Sequence, residues 1–181
     1  MQSSIGPSQL AISDQPSVKP YRQACFAIAN IKTQIDAMLF NPSRDEARRF
    51  FIQTWQKHRQ NHALADLEAV LVDVLMAHPE YHSYLSVDYL DHDWPPEHGD
   101  TNPFLHLSLH LALAEQLSID QPAGVRQLYQ QLHQQQGDAH KALHIMLDCL
   151  AEMIWQAQRN QTQPDPAIYL AGIRRHLGLF Q

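Results

Sequence analysis

Apolar residues recur every three or four positions along most of this chain, the spacing that buries one face of an α-helix. The stretch ALADLEAVLVDVLMAH shows it plainly, with Leu64, Leu67, Val70, Leu71, Val74 and Leu75 in register. Before it, SRDE reads as a capping box: Ser43 can accept from the third helical amide and Glu46 can reach back, opening a helix to about His62. Pro79 suits the first turn of a new short helix, PEYHSYL, and VDYLDHDWPPEHGD reads as a polar connection. Asn102 followed by Pro103 is an N-cap and first-turn pair for a helix to about Leu117. PAGVRQLYQQLHQQQ continues the pattern. Gly137 and Asp138 then read as a C-terminal glycine and the next N-cap, opening the longest helix, AHKALHIMLDCLAEMIWQAQRN. Asp165 and Pro166 open a last one, AIYLAGIRRHL. No strand alternation competes. The expected fold is all-α, a helical bundle of five to seven helices with short connections.

Residues 1–37 stand apart. The first twenty are rich in Ser, Gln and Pro, and YRQACFAIANIKTQIDAM is either a short docking helix or an artefact of the assigned start. Met38, followed by LFNPSRDEARRFF, reads as a natural beginning. The expected organisation is therefore an N-terminal extension, partly disordered or a mis-assigned start, over 1–37 and a single helical domain over 38–181.

Composition narrows the function classes. The chain has 181 residues, 44% of them apolar and 18% charged, which is the globular range. A net charge of −6 gives no electrostatic footprint for nucleic acid. No apolar run approaches the ~20 residues of a membrane span, and the N-terminus lacks a basic start with an apolar core, so no secretory signal is expected. Two cysteines, Cys25 and Cys149, read as reduced thiols of a cytoplasmic protein. Cys149 lies among Met146, Leu147 and Leu150, where packing explains it better than nucleophilic chemistry. Phosphate-loop, dinucleotide, nucleophile-elbow and His-Glu-x-x-His motifs are absent.

The histidines change the picture. Of 12, eight fall in four pairs spaced i,i+4: His58/His62, His78/His82, His106/His110 and His140/His144. Random placement gives roughly 0.8 such pairs. His106 and His110 interrupt the Leu- and Ala-rich NPFLHLSLHLALAEQL, about 40° apart on the helical wheel. Leu113 and Leu117 share their side, while Ser108 and Glu115 lie opposite. Neither face is cleanly apolar, so the helix is expected to be surrounded by protein. Buried imidazoles need a hydrogen-bond partner or a metal. The longest helix offers His140, His144, Asp148 and Glu152. Those residues also fit a solvated face, but Trp155 in the same sector suggests that something covers it. His144 and Glu152 are the favoured ligands there; His140 and Asp148, nearer the helix start, could simply serve the helix end electrostatically. In HPEYH, His78 sits at a cap and His82 in the first turn, and only some helix starts make them converge. His58 and His62, among Lys57, Arg59 and Gln60, read as solvated.

From Met38 onward the chain resembles a family of small bacterial proteins known as domain of unknown function number 1841. LFNPSRDEARRFF, HPEYH, NPFLHLSLHLALAEQL, DQPAGVRQLYQQL and MLDCLAEMIWQAQR carry the likeness. The resemblance implies a helical cytoplasmic protein and supplies no activity. The family often has Glu where this chain has Asp148, which implies a role for that carboxylate with a shorter side chain.

The leading expectation is a metal site inside the bundle, built from His106, His110, His144 and Glu152 with His78 and His82. Inward-facing His and carboxylate ligands suit zinc or a pair of iron or manganese ions. Zinc with an open position would permit hydrolysis, and iron would permit oxygen chemistry. The alternative is a non-catalytic interaction module with buried structural histidines, meeting a protein partner or a second copy of itself. A third reading is a pH sensor built on clustered imidazoles.

Overall fold

The computed structural model describes residues 44–94 and 101–179. Among them are six α-helices, two 3₁₀ turns and no strand: α1 (Arg44–Arg59), α2 (Asp66–Met76), 3₁₀ turns over Pro79–Tyr84 and Val87–Tyr89, α3 (Pro103–Ile119), α4 (Val125–Gln136), α5 (Ala139–Asn160) and α6 (Pro166–His176). The chain is an all-α helical bundle. Residues 1–43, and with them the N-terminal extension, Ser43 and Cys25, lie outside the described residues.

Local chemistry sets the helix boundaries. In α1, Asp45 and Glu46 occupy the first turn and Lys57, His58 and Arg59 the last, each charge opposing the helix dipole at its end. It stops at Arg59, short of His62. At the start of α2, Glu68 Oε2 accepts from the Ala65 amide at 2.8 Å while Oε1 meets Lys57 Nζ at 2.5 Å, so one carboxylate caps α2 and ties it to α1. The Asn102 side chain accepts from the amides of Phe104 (3.1 Å) and Leu105 (3.2 Å), the cap expected for α3. Asp138 likewise accepts from His140 (2.8 Å) and Lys141 (3.1 Å), and Asp165 from Ala167 (2.9 Å). Gly137, with φ +66°, ends α4 in the left-handed region that glycine tolerates.

Two hydrophobic clusters share α3. The first joins Phe51 and Ile52 of α1 and Leu67, Leu71 and Leu75 of α2 to Phe104, Leu107 and Leu111. The second joins Leu113 to Val125, Leu128 and Leu132 of α4, Met146, Leu150 and Met153 of α5, and Tyr169 and Ile173 of α6. α3 packs on α2 on one side and on α4 and α5 on the other. From His106 to Ile119 none of its residues is fully exposed, as expected for a helix with no clean polar face.

Candidate metal centre

Where the two clusters meet, four imidazoles converge. His78 comes from the junction of α2 and the first 3₁₀ turn, His106 and His110 from α3, and His144 from α5. Each offers one ring nitrogen to a group lying within 4.8 Å of one another. His78 is 1% exposed and His110 4%; His106 and His144 are half-buried.

The hydrogen bonds explain part of the arrangement. His78 Nδ1–H donates to the Val74 carbonyl at 2.8 Å, which orients the ring and leaves Nε2 with its lone pair. That Nε2 faces His110 Nε2 at 3.1 Å, so in the metal-free neutral pair His110 is the donor. Ligands around tetrahedral zinc, with Zn–N of about 2.0–2.1 Å, are spaced about 3.3 Å apart. The His78–His110 edge is close to that value. The four nitrogens as a group lie within 4.8 Å of one another.

His106 Nε2 and His144 Nε2 are buried with no hydrogen-bond partner. An unsatisfied buried polar atom costs ~1–3 kcal/mol, and two at one locus are what a missing common partner would leave. Burial also keeps the rings neutral. Removal from water is the largest cause in every case, followed mainly by neighbouring histidines; at His78 the bond to Val74 opposes it. It pushes His106 down to about 4 and His110 to about 2, and lowers His78 and His144. Neutral imidazole is the metal-binding form. The donor set fits a first-row transition metal, since imidazole suits zinc, copper, iron and nickel, whereas magnesium and calcium want oxygen.

Four of the six expected ligands are therefore brought together, and two are not. Glu152 is exposed, accepts from Gln156 Nε2 at 2.6 Å, and faces a cleft between α5 and α6 lined by Asp148, Arg175 and His176. Eight residues separate it from His144, about 12 Å along a helix, too far for a shared ion. Trp155 is also uncovered, 51% exposed with the Arg159 guanidinium 5.1 Å over its ring. A cation one turn on, rather than another helix, accompanies that aromatic in a polar sector.

His82 is turned away because its segment is a 3₁₀ helix. Four residues at three per turn rotate about 120°, not the 40° of an α-helix. Its Nε2–H donates to the Leu75 carbonyl at 2.8 Å and its ring lies 4.2 Å from Trp55. The same geometry aligns residues three apart, and Tyr81 accordingly stacks on His78, with centroids 6.0 Å apart and planes at 15°. Tyr81 also lies 5.2 Å from His106. His140, which ranks below His144 as a ligand on sequence alone, abuts the cluster, with its ring 4.3 Å from His144 and 4.8 Å from His78. The signal for Tyr81 was the short Pro79 helix; that for His140 was its spacing from His144.

Cys149 is a buried free thiol, its pKa raised to about 11 chiefly by burial, in keeping with a packing role. No helix among the described residues is long and apolar enough to cross a membrane.

These features define a helical protein with a buried polyhistidine cluster. The family described as Domain of unknown function (DUF1841) matches residues 43–175, and the chain belongs to it. No curated protein and no solved structure matches.

Proposed function

We propose that this protein binds one first-row divalent transition metal ion, zinc in the first place, through His78, His106, His110 and His144. The observation that carries the reading is the pair of partnerless buried nitrogens, His106 Nε2 and His144 Nε2, beside the His78–His110 edge. Four imidazoles saturate tetrahedral zinc, which favours a structural or storage site over one with an open position for hydrolysis. The four-residue group contains no carboxylate, so a pair of iron or manganese ions in a mixed His and carboxylate cage loses its support. The ion would link α2, α3 and α5, and its binding energy would add to folding energy. A reduced, buried Cys149 fits the cytoplasmic location that belongs to this reading.

One observation favours the non-catalytic interaction module instead: both ring nitrogens of His78 already have partners, Val74 and His110. Metal analysis separates the two. Protein stripped of metal and dialysed against zinc retains one ion per chain and melts at higher temperature than the stripped form. Protein that retains none, and melts at the same temperature with and without zinc, favours the interaction module.

A further inference from the structure

A fifth imidazole stands at the edge of the cluster. His140 lies one turn before His144 on α5, with its ring 4.3 Å from His144, 4.8 Å from His78 and 5.9 Å from His110. Its nitrogens fall outside the close group of four. It is half-buried, unlike His78 and His110, which are closed to solvent. Asp138 holds the His140 amide at 2.8 Å, so the turn that carries the ring is fixed in place.

An ion enclosed by four imidazoles leaves slowly unless a fifth donor can bind before one of the four departs, and zinc sites sometimes expand to five-coordination. We propose that His140 is the exchange ligand of this centre. It takes the incoming ion with its lone pair and passes it to His144 as the four-histidine set closes; release runs in reverse. One metal–nitrogen bond forms as another breaks. No electron is transferred. The inference rests on the metal-binding reading of the four-histidine cluster and concerns the rate at which that site fills and empties.

The test is stopped-flow transfer of zinc from the loaded full chain to a chromogenic chelator, with the reverse loading step. It compares wild type, His140→Ala and His140→Gln. Both variants should slow transfer in both directions by about tenfold or more. Their equilibrium affinity, from chelator competition, should move far less than the rates. Free imidazole should speed His140→Ala more than wild type, because it supplies the missing donor. Equal rates in wild type and variants overturn the inference and leave the metal centre standing. A matching loss of affinity without imidazole rescue makes His140 a static fifth ligand and also overturns it. Wild-type protein that holds no zinc overturns the metal centre itself, a separate outcome.

Discussion

His106 on α3 and His144 on α5 meet with ring centroids 5.2 Å apart, and each buries an Nε2 with no partner. Each helix thus presents the other with a lone pair or an N–H that nothing satisfies. A cation between them would turn two unfavourable terms into ligand bonds.

His106→Ala and His144→Ala should each remove bound zinc and bring the loaded protein down to the melting temperature of the stripped one. At free zinc 100-fold above Kd the ion stabilises by about 2.7 kcal/mol, which sets the size of the loss. In stripped protein both changes delete an unsatisfied polar atom and should cost far less. The exposed His62→Ala should do neither. Metal analysis and calorimetry on both forms check this. If the loss is equal with and without zinc, the histidines act by packing alone.

Acid should destabilise the metal-free protein, and the sign follows from the protons bound. His106 and His110 are held below their unfolded value of 6.5, to about 4 and about 2, and His78 and His144 are lowered too. Below about pH 6.5 the unfolded chain takes up protons that the folded chain refuses, so stability is fully present above that pH. It declines toward pH 4 by up to about 1.4 kcal/mol per unit for each such ring. His106 then protonates in the fold while His110 continues the decline. The charged and titratable groups facing the cluster are Glu80, Tyr81, His140 and Asp148. Glu80 acts against the lowering at His78, His106 and His144, and Asp148 at His144. Urea unfolding between pH 7.5 and about pH 4.5 measures the slope; a flat profile would mean that the rings titrate in the fold as they do in the unfolded chain.

Arg48 should prove indispensable to the segment after the first 3₁₀ turn. It is 3% exposed and donates to the carbonyls of Tyr89 (3.2 Å), Leu90 (2.5 Å) and His92 (2.8 Å). Its guanidinium also lies over Trp94 (4.9 Å) and Phe104 (5.2 Å). Arg48→Met leaves those carbonyls without a charged donor and should cost about 3 kcal/mol in urea unfolding, with altered Trp94 emission. Arg48→Lys should recover little, since an ammonium lacks the planar fork and the ring stacking.

The helices were legible because their boundaries are local. Asn102, Asp138 and Asp165 cap the turns that follow them, and Gly137 ends the turn before it, all within three residues of sequence. His106, His110 and His144 were legible for the same reason, being helical neighbours at i,i+4 or in an analogous pair. His82 was not, because the spacing has a different meaning at three residues per turn, and the 3₁₀ geometry of Pro79–Tyr84 depends on packing. Glu152 shares a stripe with His144 on paper, but the distance along the axis decides, and α6 rather than α3 faces it. The three-carbonyl grip of Arg48 joins residues more than forty apart, beyond any local pattern.

The position of the histidine cluster at the seam between the two hydrophobic clusters has a consequence for cooperativity. The α1–α2 side and the α4–α5–α6 side each own a core, and α3 is the structural element they share. His78 belongs to one side and His144 to the other. With the seam filled, either half can open only by surrendering the ion, so the two melt as one unit. With the seam empty, the halves are coupled through α3 and the ring contacts of His78 with His140 and His144, and amide exchange would resolve them as separate foldons.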